Sequence, residues 1–125
     1  MPVLEPVEAW RVVATPAAID GAHWEGDGVD VLRIAPDEAL VLGATGGHVD
    51  DPDAILEPEA GFSVALLTTD DERDVRDHVE WELGGAGPVA QGKIAGVPAK
   101  LVRGDPAVLV VQTAYVHDLR NRLGW

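Results

Sequence analysis

The chain has no cysteine, one serine, one phenylalanine, one tyrosine and only two lysines among its 125 residues. The missing cysteines exclude disulfide staples, iron–sulfur ligation, thiolate zinc sites and a cysteine nucleophile. The single serine, Ser63, sits outside any G-x-S-x-G turn, so serine hydrolysis is not expected. No run approaches the roughly 20 apolar residues of a membrane helix. Residues 1–10 (MPVLEPVEAW) carry acids and prolines in place of a basic, apolar leader, so a cytoplasmic location is expected.

Basic residues are scarce as well. Nine Lys plus Arg face 22 Asp plus Glu, a formal charge of −13, and such a surface repels phosphate backbones and anionic lipid. Neither a nucleic acid nor a membrane is therefore an expected partner. The same acidity, with abundant Ala, Gly and Val, fits a GC-rich genome and a salt-adapted cytoplasm. Against these deficits stands a hydrophobic content of 46%, enough for a packed core, and the length suits a single domain over residues 1–125.

Periodicity gives the expected elements. Residues 9–14 (AWRVVA) read as a strand ended by Thr15-Pro16, followed by a loop to Gly28. Val29, Val31 and Arg33 alternate with Asp30, Leu32 and Ile34, and residues 39–43 (ALVLG) follow a Pro-Asp-Glu turn, which predicts a β-hairpin. Residues 46–61 contain Pro52, Pro58 and five acids without a period, and read as an irregular connection. Residues 62–68 (FSVALLT) suit a buried strand. Thr69 and Glu72 have the spacing of a capping box, with Asp70 and Asp71 in the first turn, Val75, Val79 and Leu83 as the apolar stripe and Glu72–Arg76 as an i,i+4 pair. Gly84-Gly85 ends that helix. Residues 88–95 and 97–103 predict two strands joined at Gly96, and residues 107–112 (AVLVVQ) a central strand after the turn Gly104-Asp105-Pro106. Thr113 is expected to cap a last helix with Val116, Leu119 and Leu123 inward, Arg120 and Arg122 in the last turn and Gly124 beyond it. The fold class is α+β: two layers, a mostly antiparallel sheet with helices on one face.

Several patches resemble chemistry. Residues 41–47 (VLGATGG) look like a dinucleotide-binding turn, but Val49 stands where a third glycine belongs, and Asp50, Asp51, Pro52 and Asp53 oppose both a pyrophosphate and a helix; a glycine-rich turn is the expectation. His48 with Asp50, Asp51 and Asp53 lacks the glycine and terminal Glu of a calcium loop and reads as a solvated acidic loop. Gly92-Lys93 lacks the spacing and hydroxyl of a phosphate loop, so Lys93 reads as a solvent-facing strand residue. His23, His48, His78 and His117 form no H-x-x-x-H pair. No catalytic residue, metal site or cofactor is therefore assigned, and the chain is not expected to be an enzyme. Of the four tryptophans, Trp10 and Trp24 read as packing residues. Trp81 falls off the Val75, Val79, Leu83 stripe between Glu80 and Glu82 and reads as an interface anchor, with Trp125 as a second candidate surface.

One family resemblance emerges. Residues 87–103 (GPVAQGKIAGVPAKLVR), then Leu109-Val110-Val111 and Thr113-Ala114-Tyr115, resemble the C-terminal part of the sarcosine oxidase gamma subunit. Residues 33–42 (RIAPDEALVL) are similar to that family's Pro-Asp-Glu hairpin, except that Ala39 replaces its usual aromatic and residues 46–61 look abbreviated. These subunits are related in fold to the folate-binding module of the glycine-cleavage aminomethyltransferases. The resemblance implies a cofactor-free accessory subunit in an amine-oxidising or one-carbon system, packed against a larger subunit. Self-association or a different partner fits a stand-alone relative. The alternative is a small-ligand domain binding a folate-like molecule through Gln91, Lys93 and Arg103.

Overall fold

A computed structural model describes residues 2–79 and 89–125, with backbone alone for 89–91. In chain order the elements are β1 (Glu5–Pro6), β2 (Ala9–Val13), α1 (Pro16–Asp20), β3 (His23–Glu25), β4 (Asp30–Ala35), β5 (Glu38–Leu42), β6 (Gly46–His48) and β7 (Ile55–Glu59). They continue with β8 (Phe62–Leu67), α2 (Thr69–Arg76), β9 (Val89–Ile94), β10 (Val97–Val102), β11 (Ala107–Gln112), a 3-10 turn (Thr113–Tyr115) and α3 (Val116–Leu123). The fold is α+β with antiparallel sheets, as expected. The chain forms two compact units, residues 7–60 and residues 1–6 with 61–125.

The unit of residues 7–60 is built on a sheet in the order β4-β5-β2-β7, with β3 and β6 paired beside it. The β4–β5 hairpin turns at Pro36-Asp37, and Arg33 holds that turn by donating from Nη1 to the Pro36 carbonyl at 2.9 Å and from Nη2 to Asp20 of α1. On one sheet face Val12, Ala39 and Val41 join Ala18 and Ile19 of α1 in a buried cluster, with Trp10 and Trp24 half-buried against it. Two elements depart from the sequence reading. Where a loop was expected, Thr15 caps α1 by accepting from the Ala18 amide at 3.3 Å, with Pro16 as its first residue. Within residues 46–61, expected to be irregular, β6 pairs with β3 and β7 with β2. Pro58 is admitted because β7 is an edge strand, where a missing N–H costs no ladder bond.

The other unit is a sheet in the order β1-β8-β11-β10-β9. Its register aligns Leu67 with Ala107, Ala65 with Leu109, and Leu109 with Leu101, so these side chains share one face. Val75 of α2 and Leu119 of α3, both fully buried, close that face, and Val116, Leu123 and Trp125 pack at its margin. Trp125 is thus partly covered by its own unit.

The helix caps also differ in detail. The capping box begins one residue earlier than expected: Thr68 accepts from the Asp71 amide at 3.1 Å and Asp71 accepts from the Thr68 amide at 3.1 Å. The Glu72–Arg76 pair forms, with Arg76 Nη2 at 2.8 Å from the Glu72 carboxylate. The helix ends at Arg76, and Val79 instead bridges to Ile94, while Leu83 lies outside the described residues. Thr113 starts the last helical segment but does not cap it, because its hydroxyl pairs with Ser63 at 2.8 Å.

Candidate functional site

The residues proposed from sequence are spread over the β9–β10 hairpin. Lys93 is exposed opposite Pro98, Gln91 holds the register position opposite Lys100, and Arg103 is half-buried one residue past β10. Arg103 lies five residue steps beyond Pro98, roughly 16 Å at strand rise. Lys93 and Arg103 are therefore not neighbours. Trp81 and the Gln91 side chain lie outside the described residues.

The glycine-rich segment is a turn. Gly43 takes a φ of 79°, the Thr45 amide donates to the Glu25 carbonyl at 2.7 Å, and the chain passes into β6 instead of a helix, so no row of helix amides faces a phosphate. Gly47 lies opposite Trp24, and a Cβ there would collide with the indole ring. Asp51 of the acidic loop has a local role: its carboxylate accepts from the Thr15 amide at 3.0 Å and the Asp53 amide at 2.9 Å, tying the loop to the start of α1. Among the described residues no group of three or more His, Asp or Glu is placed to hold a metal.

Two grooves remain. In the larger unit, about 400 Å³ opens at the start of α2, bordered by Thr68, Glu72, Asp105, Pro106 and Leu66, which is 63% exposed. In the unit of residues 7–60, about 490 Å³ opens over Trp10. Register sets Val41 and Pro58 on either side of Trp10, and since Val41 is fully buried the open apolar surface is that of Trp10 and Pro58. Gly43 and Ala60 continue it with little bulk, and Glu8 and Glu59 also border it, Glu59 from the register position of Ala9, which faces the other side of the sheet from Trp10. Sequence reasoning read Trp10 as a packing residue, which its half-buried position fits, and missed this groove, since only the β2–β7 pairing brings residues 8–10 and 58–60 together.

The electrostatics of this unit are one-sided. Arg11 donates to Glu38 and, at 3.0 Å, to Glu57, cross-linking β2, β5 and β7. Its guanidinium is held above its ordinary pKa, chiefly by the Glu38 hydrogen bond, against a lowering by burial and with further help from Glu57. Arg33 is engaged by Asp20. Glu8 is exposed and forms no ion pair among the described residues.

These features define an α+β chain of antiparallel sheets with a groove over Trp10. The same fold occurs in a chain of the heterotetrameric sarcosine oxidase from Corynebacterium sp. U-96, solved in complex with pyrrole 2-carboxylate. The two superpose with a TM-score of 0.60 at 15% identity, over 98% of this chain and 80% of that one. The likeness is one of fold. No family model and no curated protein sequence matches the chain.

Proposed function

We propose that the chain is a non-catalytic accessory subunit of the sarcosine oxidase gamma kind, which binds a larger protein subunit in a cytoplasmic amine-oxidising or one-carbon system. The observation that carries this reading is the extent of the likeness: 98% of the chain follows the fold of a chain whose own enzyme is a heterotetramer. Surface chemistry supports it. Edge strand β7 displays Ile55 at 49% and Leu56 at 41% exposure, apolar area of the sort that protein contacts cover. The charge of −13 favours a protein partner over nucleic acid or anionic lipid, and no helix among the described residues is long and apolar enough to cross a membrane.

The test is recovery of the tagged full chain from its own host, followed by light scattering on the eluted species. A stoichiometric complex with a larger flavoprotein is expected, weakened by Trp81→Ala, the large aromatic set between Glu80 and Glu82. A monomer or self-oligomer at every concentration overturns the reading. The isolated chain should neither oxidise an amine nor transfer a methyl group, and turnover by it alone would remove the non-catalytic assignment. Saturable binding of folate to the isolated chain would support the small-ligand alternative instead.

A further inference from the structure

We infer that His23 of β3 and His48 of β6 form a two-imidazole site for a late first-row divalent ion of the zinc kind, on the outward face of the β3–β6 ribbon, with water completing the coordination. The site lies outside the partner-binding reading above and does not depend on it.

No spacing motif joins the two histidines; strand pairing does. His23 lies directly opposite His48 in the antiparallel register, so both side chains leave the same face, with Cβ atoms about 5 Å apart. Two nitrogens each about 2 Å from one zinc ion stand roughly 3 Å from one another, a gap that two rings rooted at such a distance close by rotation about their own side-chain bonds. Both residues are exposed, and neither ring makes a hydrogen bond or ion pair among the described residues. The other two histidines differ: His78 Nδ1 is 2.8 Å from the Asp74 carbonyl, and His117 Nε2 is 3.2 Å from the Asn121 side chain.

The ribbon holds the pair in place. Trp24, between His23 and Glu25, points to the other face and is half-buried against the cluster around Val12 and Ile19, with its ring in the space that a Cβ at Gly47 would fill. The histidine face is therefore outward, and a slip of register that set His48 against Trp24 would drive its side chain into the indole. Glu25 shares the histidine face, and its carboxylate oxygen lies 3.4 Å from where a Cβ at Gly46 would stand, beside the pair. From there it accepts a hydrogen bond from metal-bound water without being a ligand, in keeping with the want of a third protein ligand among the described residues. Imidazole donors select zinc, copper or nickel over magnesium and calcium, which take oxygen. Charge favours a cation as well: residues 7–60 hold twelve Asp and Glu, no lysine, and two arginines that Glu38, Glu57 and Asp20 already engage.

The experiment titrates the metal-stripped full chain, free of any histidine tag, with zinc chloride, read by calorimetry and by NMR of the histidine ring protons. One saturable equivalent is expected, with the ring signals of His23 and His48 shifting together and those of His78 and His117 staying in place. His23→Ala and His48→Ala should each weaken binding about tenfold or more, the scale found when even an outer partner of a metal site is removed. His78→Ala and His117→Ala should leave it unchanged. Zinc should raise the melting temperature of the unaltered chain and not that of the His23 and His48 variants, since the ion binds the paired ribbon and not the unfolded chain. The Trp24 indole signal verifies that each variant keeps the ribbon. Undiminished binding by both of those variants, ring shifts led by His78 or His117, or displacement of zinc by about a tenfold excess of Mg2+, which would mark a site of carboxylates, overturns the assignment. Because the ring shifts are read on the unaltered chain, a variant that fails to fold leaves the assignment open to refutation.

Discussion

Arg122 of α3 donates from Nη1 to the carbonyl of Ala95 at 2.8 Å, directly over the turn between β9 and β10. Ala95 and Gly96 both lie in the left-handed region, with φ of 51° and 80°, which matches the twist of a tight hairpin. The Ala95 amide donates to the His78 carbonyl at 2.8 Å, so the turn is clasped both by α3 and by the segment after α2. A Cβ at Gly96 would collide with the Arg122 guanidinium. Gly96→Ala should therefore lower stability by about 1–2 kcal/mol, mostly from the left-handed backbone. Arg122→Ala alone should cost about 1 kcal/mol or less, the scale of one hydrogen bond. The double variant should lose less than the two singles together in urea denaturation, since removing the guanidinium also removes the collision.

The start of α2 offers a sharper test because two adjacent threonines compete for the role. Thr68 caps the helix and exchanges hydrogen bonds with Asp71, whereas Thr69 is the first helical residue. Thr68→Ala should cost about 1 kcal/mol, the usual cost of a lost cap. Thr69→Ala should change the denaturation midpoint little. The opposite order of effects would move the helix start.

The sequence signals that succeeded and failed differ in kind. The Pro-Asp-Glu hairpin was legible because alternation and a turn residue agree within ten positions. The strands flanking Gly96 were legible for the same reason. Helix α1 was overlooked although Thr15-Pro16 is a start signal, because five residues are too few to show a helical period. Strand β7 was overlooked because Pro58 argues against a strand unless the strand is known to lie at an edge, and edge position is a property of the whole sheet. The capping box slipped by one residue because two threonines precede five consecutive acidic or basic positions, and spacing alone fits both registers. The Trp10 groove was illegible in principle: its two walls are some fifty residues apart in the chain, and only the β2–β7 pairing joins them.

Ser63 is the single serine and is fully buried, and its hydroxyl lies 2.8 Å from that of Thr113. The bond joins β8 to the turn that opens α3, next to the backbone bond from the Thr113 amide to the Gly61 carbonyl at 2.8 Å. Ser63→Ala should cost about 1 kcal/mol, because Thr113 is exposed and its hydroxyl can turn to water. Thr113→Val should cost more, since it leaves the Ser63 hydroxyl buried without its partner. Guanidinium denaturation of the two variants side by side reads this asymmetry.

Gly47 separates the two readings of the glycine-rich segment. In a dinucleotide site its role would be to let backbone approach a pyrophosphate; here β6 sets it opposite Trp24, whose ring occupies the space of a side chain. Gly47→Ala should therefore displace the indole and lower stability by about 1–3 kcal/mol, the scale of overpacking against a filled site. The Trp24 indole proton should shift in the NMR spectrum while the signals of residues in the other sheet stay in place. The unaltered chain, titrated calorimetrically with NAD and NADP, should give no saturable heat, because β6 follows the turn where a helix N-terminus would be needed. Micromolar binding of either dinucleotide, abolished by Gly47→Ala with Trp24 undisturbed, would assign the glycines to a ligand and not to the tryptophan.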